Sequence, residues 1–462
     1  MRPTEEQLRE IYRQGPDAVV ALFNELFDRA DAQDARIVAL ESNVGATSKN
    51  SSTPPSQDPF RNTARKKRRR RRRSDHHRSG GRELRPSSEV DVVVDLRPAR
   101  CACCGLPLHP ASQHVGTPSR YQQTEIPEPT SVLTERRRHA LRCGGCGGVT
   151  KAPVPGDALE RFGPRLQAAI ATLSADKRQT VRQLQQLLLD FYGVTISTGQ
   201  IGAVAQRIGG LCEPAAEALH AEILREDAIF GDETSWRLKD ARGAWRRAWL
   251  WGVFSRDAAY YEIQPSRSGL VAETLIPVAY RGIVHTDNYG GYNHIADERH
   301  QLCWAHFARH FQRHADARDG PAREFGVQGL RICERVFKLS KQSTARQRKR
   351  LVADLDALVE VGVADDETRT MATTLKSRHG CLWHCLYLDN VDATNNHAER
   401  MIRPAVIKRK LSIGSGSAAG ARATAALLSV VTTARLRGQS PYAFIESTVR
   451  AAKTGQLAPQ MA

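Results

Sequence analysis

Ala228-Ile229-Phe230-Gly231-Asp232-Glu233-Thr234-Ser235-Trp236 decides how the rest of the chain is read. It is a short apolar entry ending in acids, and it reads as a strand that carries Asp232. Trp245 to Phe254 reads as a second strand, rich in Trp and Arg, and Ala259-Tyr260-Tyr261-Glu262-Ile263 as a third. Ser268 to Ala279 has a helical pattern, and Ile283-Val284-His285-Thr286-Asp287-Asn288-Tyr289 is a fourth strand ending in an acid. Asp232 alone could be a surface acid and Asp287 alone a turn former. Together, in strand order, they form a pattern. Asp227, Glu233, Asp389 and Asp392 are rival acids. Neighbours in a strand face opposite ways, so Glu233 is expected on the face away from Asp232.

Three strands, a helix, and a strand with a terminal acid is the order of a ribonuclease H-like fold. In that fold a third acid arrives from a later helix. Glu399 is placed to supply it, within Asn395-Asn396-His397-Ala398-Glu399-Arg400-Met401-Ile402-Arg403-Pro404. There one acid sits among five bases, Arg400, Arg403, Lys408, Arg409 and Lys410. In a helix Asn395, Glu399 and Arg403 share a face. A carboxylate beside a basic strip can hold a divalent ion while its neighbours hold a nucleic-acid backbone. The competing reading is a capping box, with Asn396 as N-cap and Glu399 three residues on. Three converging carboxylates suit two-metal phosphoryl transfer, with Asp232, Asp287 and Glu399 holding two Mg²⁺ or Mn²⁺ ions. Arg400, Arg403, Lys408 and Arg409 are expected to steady a DNA backbone.

Composition agrees with a polyanionic partner. The 462 residues carry 68 Lys and Arg against 50 Asp and Glu, a net charge of +18, and the pI is about 9.7. DNA is the first expectation and an anionic membrane surface the second. The N-terminus is polar and charged, without a signal-peptide pattern. Runs such as Ala248 to Phe254 are far too short to span a bilayer. The ten cysteines include two close clusters, a reducing pattern rather than a disulfide framework. A cytoplasmic, nucleoid-associated protein is expected.

The expected fold class is multidomain α+β. Residues 1–45 read as a helical or coiled-coil segment, which pairs with another helix or packs on its own domain. Residues 46–88 read as a disordered basic linker. Its Arg65-Lys66-Lys67 and the run Arg68 to Arg73, including Arg68, Arg69 and Arg70, suit sequence-independent phosphate binding. Residues 89–152 read as a zinc-binding domain, because Cys101 and Cys104, then Cys143 and Cys146, form two C-x-x-C knuckles followed by Gly. Four such thiolates suit a tetrahedral structural Zn²⁺. Cys103 is a bystander or replaces a neighbour. Residues 153–222 are helical, and Val181 to Tyr192, Gly193, then a helix opened by Ser197 and running toward Ile208 has a helix-turn-helix layout. Thr198, Gln200 and Arg207 are its candidate DNA contacts, with an ordinary helical hairpin as the alternative. Residues 223–452 read as the ribonuclease H-like catalytic domain, with a helical insertion at about 304–388. His306 lies at the start of that insertion, where it orients a phosphate or water or simply packs. Two last helices, from Ala421 and from Pro441, are expected to pack against the sheet.

The chain resembles transposases of the insertion-sequence 66 family, of the Asp-Asp-Glu type. The resemblance rests on Gly231-Asp232-Glu233-Thr234, Thr286-Asp287-Asn288-Tyr289-Gly290-Gly291-Tyr292, Cys303-Trp304-Ala305-His306, Asn395 to Pro404, and Arg409-Lys410. The two cysteine knuckles and Ser48 to Pro55 extend it over nearly the whole chain. It implies Asp232, Asp287 and Glu399 as the catalytic triad. It also implies cleavage of element ends and strand transfer, binding to terminal inverted repeats and target DNA, a homo-oligomer on DNA, and accessory proteins from the same element. The chain departs from the family at Lys410-Leu411-Ser412. A structure-specific nuclease on the same fold and a catalytically inactive zinc and helix-turn-helix DNA-binding protein are the alternatives.

Overall fold

The structure is a computed structural model that describes residues 13–15, 84–109, 115–126, 128–153, 160–317, 319–340 and 343–461. Nearly all of the expected N-terminal helix and the whole basic run with Arg68, Arg69 and Arg70 lie outside the described residues. The chain divides into two compact units, residues 60–131 and the remainder. The described part of the smaller unit centres on the first cysteine knuckle, closed by a bridge between Arg100 and Pro107.

In the larger unit a hairpin, β1 (Ala140–Arg142) and β2 (Val149–Lys151), carries the second knuckle. Three helices follow, α1 (Pro164–Ala175), α2 (Val181–Tyr192) and α3 (Thr198–Ile223). Thr180 with Gln183 and Ser197 with Gln200 form capping boxes at the starts of α2 and α3. Gly193 ends α2 in the left-handed conformation. Helix α3, read from the sequence as running toward Ile208 within a helical segment 153–222, is one unbroken helix to the end of that segment. It runs on to Ile223 because the apolar stripe Ile201, Val204, Ile208, Cys212, Ala216 and Leu219 continues and is buried.

The central sheet contains β3 (Ala228–Lys239), β4 (Trp245–Phe254), β5 (Ala259–Gln264), β6 (Ile283–Thr286) and β7 (His300–Leu302), in the order β5-β4-β3-β6-β7. The first three strands pair antiparallel, whereas β6 and β7 run parallel to β3. The short helix α4 (Gly269–Leu275) makes the crossover from β5 to β6. The architecture is thus mixed α/β with a mixed sheet.

Helices α5 (Trp304–Ala315), α6 (Pro321–Leu339), α7 (Ala345–Ala364), α8 (Arg369–Ser377) and α9 (His384–Tyr387) follow β7 and share their own apolar cluster. Its centre includes Trp304, Phe307, Phe311 and Phe325. Gly329 lets α6 cross directly over Phe311, where any Cβ would collide with the ring. The chain then returns through α10 (Asn396–Leu411), α11 (Ala418–Leu436) and α12 (Pro441–Thr454).

Helix α11 covers the free edge of the sheet. Its Ser429 and Thr433 hydroxyls accept hydrogen bonds from the Tyr261 and Ala259 amides of β5, at 2.9 and 3.0 Å. It also crosses α3 so closely that a Cβ at Gly209 would strike Ala423. Helix α12 departs from the expected position. Ile445 and Val449 join the cluster built by α1, α2 and α3, so α12 packs on helices rather than on the sheet.

Candidate active site

Two parallel strands bring the first two acids together. The last registered pair between β3 and β6 is Phe230 with His285. Two residues further on stand Asp232, still in β3 and on the same face as Phe230, and Asp287, one residue past the end of β6. The Phe230 and His285 rings stack at 4.3 Å. His285 is wholly buried and neutral: its Nδ1–H donates to Ile229 O at 3.0 Å, and its Nε2 accepts from the Asp392 amide at 3.0 Å. Burial pushes its pKa down to about 4. Beyond Thr286 the chain turns, and Asp287 Oδ1 accepts from the Tyr289 amide at 2.9 Å.

The third acid comes from α10, whose start is tied to the sheet by the backbone before it. Ala393 O accepts from the Trp304 amide, and the Asn395 amide donates to Cys303 Sγ. The Asn395 side chain donates to Gly231 O at 2.8 Å, next to Asp232. Asn395, not Asn396, is the N-cap residue, and it makes no side-chain cap. The capping-box reading of Glu399 is therefore wrong, because the side chain that would cap is turned to the strand. Glu399 instead meets Arg309 and His306, and its charge is felt at Asp232.

The electrostatics reflect this convergence. Burial, then the charges of Glu233, Asp287 and Glu399, holds the Asp232 carboxyl well above the usual carboxylate range. Arg309 on α5 meets Glu399 with Nη2 at 3.3 Å from Oε1 and 3.5 Å from Oε2. His306 Nε2 is 3.7 Å from Glu399 Oε1. Burial holds His306 below its ordinary pKa, against the opposing pull of Asp287 and Glu399. Glu233 lies on the opposite face, where it accepts from Arg267 and from the Tyr292 hydroxyl at 2.8 Å. Arg267 in turn sits 3.7 Å from the Tyr289 ring centroid.

Sequence reasoning missed Arg309 and the Asn395–Gly231 bond. The spacing of Arg309, three residues after His306 on one helix face, was the available signal. The bond to Gly231 joins residues too far apart in the chain to leave a pattern.

The basic residues divide. Arg400 and Arg403 are exposed. Lys408 instead donates to Ser174 O at 2.9 Å, and burial pushes its pKa down to about 8. Arg409 donates to Thr234 Oγ1 at 3.1 Å and to Ser235 O at 2.7 Å. On α3, Thr198 is exposed, Gln200 is engaged in its capping box, and Arg207 bonds Gln167 and pairs with Glu160 at 3.3 Å.

Each cysteine knuckle is shaped to stabilise thiolates. In the first, amides of Cys104 and Cys103 and then the Cys104 side chain lower the Cys101 pKa, and Gly105 takes a positive φ of 73°. In the second, amides of Cys146 and Gly145 and then the Cys146 side chain lower that of Cys143, and Gly147 takes 74°. Amide donors aimed at sulfur favour the form that binds zinc. Cys103 is exposed.

At the acidic site the donor chemistry suits a hard divalent ion: carboxylate oxygens that repel one another and lie half-buried. As the side chains stand, no group of three or more His, Cys, Asp or Glu among the described residues is positioned around one ion.

These features define a mixed α/β protein with an acidic site at the ends of two parallel central strands. Residues 160–423, more than half of the chain, match the Transposase IS66 family, and the chain belongs to that family. Residues 2–86 match a family of unknown function (DUF6444). Three uncharacterized proteins of Sinorhizobium fredii (strain NBRC 101917 / NGR234) are similar. The protein y4qI is 26% identical, covering 69% of this chain and 65% of its own. The protein y4jD is 25% identical, covering 79% and 77%. The protein y4hP is 25% identical, covering 77% and 71%. The chain thus spans just under two thirds of y4qI. Among the described residues no helix is long and apolar enough to cross a membrane.

Proposed function

We propose that this protein is a DNA transposase acting by direct phosphoryl transfer on a ribonuclease H-like core. What supports the reading is the register of β3 and β6, which sets Asp232 and Asp287 side by side, together with the Asn395–Gly231 bond that ties the helix bearing Glu399 to the same strand. The strand order, with three antiparallel strands followed by two parallel ones, supports the fold reading.

In this reading Asp232, Asp287 and Glu399 hold two divalent ions. Such ions, when bound, activate the attacking oxygen and neutralise charge on the leaving one. Water attacks a phosphodiester at the element end, the bond to the 3′ oxygen breaks, and a 3′-hydroxyl is freed. That hydroxyl then attacks a phosphodiester of target DNA, joining the strands and releasing a target 3′-hydroxyl. No covalent enzyme intermediate is needed. The Asn395–Gly231 bond ties the start of the helix that bears Glu399 to the strand that bears Asp232. Arg400 and Arg403, exposed on the helix that carries Glu399, bind the DNA backbone. Each cysteine knuckle supplies two thiolates for structural Zn²⁺, and residues 89–152, 153–222 and 223–452 act as zinc-binding, DNA-binding and catalytic segments.

The test is a Mg²⁺-dependent cleavage and joining assay on labelled element-end DNA, comparing wild type with Glu399→Gln. Wild type should cut and join, while Glu399→Gln binds DNA and does neither. Cutting without joining would instead identify a nuclease. Equal behaviour of both proteins would remove Glu399 from the chemistry.

A further inference from the structure

We infer that Arg309 is the resident counter-ion of the acidic site, holding Glu399 when no divalent ion is bound and yielding it when one enters. The inference rests on the proposed divalent-ion site at Asp232, Asp287 and Glu399. Arg309 projects from a firmly seated helix. Trp304, Phe307 and Phe311 of α5 are buried, and Trp304 Nε1 donates to Leu382 O at 2.7 Å. The guanidinium itself is only loosely committed. Its side chain keeps 30% of its exposure, and a single nitrogen, Nη2, is shared between both Glu399 oxygens at 3.3 and 3.5 Å. A two-pronged arginine–carboxylate pair has two parallel bonds near 2.7–2.9 Å. This contact is longer and one-pronged, so a divalent ion with direct oxygen coordination can displace it.

The charge arrangement gives the contact its purpose. Glu233 is matched by Arg267 on the opposite face. Asp232, Asp287 and Glu399 remain as mutually repelling acids, and Arg309 supplies one positive charge against them. Arginine and metal then compete for one carboxylate, and the arginine also repels an incoming cation. Removing Arg309 must therefore tighten metal binding, whereas a residue that merely supports the fold would weaken it when lost.

The test is calorimetric titration of the full-length protein with Mn²⁺ at low ionic strength, reading the binding that Asp232→Asn abolishes. Arg309→Gln should bind roughly three- to five-fold tighter, the size expected of a partly exposed ion pair, with Arg309→Lys in between. In a Glu399→Gln background the same change should have no such effect. Without added metal, Arg309→Gln should also melt at a lower temperature than wild type, and saturating Mn²⁺ should close that gap. Unchanged or weaker Mn²⁺ binding in folded Arg309→Gln overturns the inference and leaves the acidic site intact. If wild type binds no Mn²⁺ that depends on Asp232, the inference falls together with the proposed metal site.

Discussion

Asn395 donates its side-chain amide to the carbonyl oxygen of Gly231, 164 residues earlier in the chain. One bond thereby sets the height of α10 over the strand that bears Asp232. Asn395 is buried, so truncation strips a partner from a buried carbonyl. Asn395→Ala should cost about 1–3 kcal/mol in chemical denaturation. It should lower strand cleavage more than DNA binding, because a small shift of Glu399 disturbs the reacting geometry.

The repulsion around Asp232 gives a prediction of opposite sign. Its folded pKa lies above the unfolded value, so the folded state disfavours the charged carboxylate. Its contribution is most favourable below the unfolded value and is lost as pH rises from there through the raised folded value. Asp232→Asn should therefore raise the melting temperature of the metal-free protein at neutral pH, by roughly 2–4 °C per kcal/mol relieved. The gain should shrink on acidification, while cleavage is abolished. Calorimetric scans across pH, paired with the cleavage assay, check both.

Two buried histidines predict acid sensitivity. His285 is held down to about 4 and His300 to about 3, both chiefly by burial. His300 Nδ1 accepts from Arg378, and its Nε2–H lies 2.7 Å from Thr286 Oγ1. Below the ordinary imidazole value of about 6.5, the unfolded chain takes up protons that the folded chain refuses. Stability should be full above that pH. It should fall by up to about 1.4 kcal/mol per pH unit for each histidine as pH drops toward 4. Urea midpoints measured from pH 7 to pH 4 test this, and His285→Asn should flatten the curve.

The basic residues of α10 should separate by experiment. Arg400→Ala and Arg403→Ala should weaken DNA binding and each reduce the salt dependence by about one counterion. Lys408→Ala and Arg409→Ala remove internal hydrogen bonds, so their main effect should be on stability. Fluorescence anisotropy across a salt series, beside denaturation curves, separates the two groups.

Zinc should be lost with the knuckles. Cys101→Ser and Cys143→Ser, made singly, should each lower the zinc found in purified protein and destabilise the fold. Metal content by mass spectrometry measures the first effect and chelator-induced unfolding the second.

What was legible in the sequence was whatever rests on local pattern. The strand alternation through Asp232, the acid at the end of β6, and the Gly-terminated knuckles all repeat at short spacing. The displacement of Glu233 to the far face follows from the same alternation. What stayed hidden depends on where distant elements meet. Lys408 reads as a surface base until Ser174 arrives beside it, and Asn396 reads as a cap until Gly231 claims Asn395. The close crossing of α3 by α11 likewise left no local pattern. In the folded protein Gly209 makes room for Ala423.

The hydroxyls of Ser429 and Thr433 have a wider consequence. A border strand with bare amides is a template on which another chain can polymerise. Here the outward amides of Ala259 and Tyr261 are already saturated by a helix of the same chain. A sheet closed along this border can be crowded with its own copies without recruiting neighbours there into a growing cross-strand aggregate. Replacing Thr433 by Val would reopen that border at nearly constant volume.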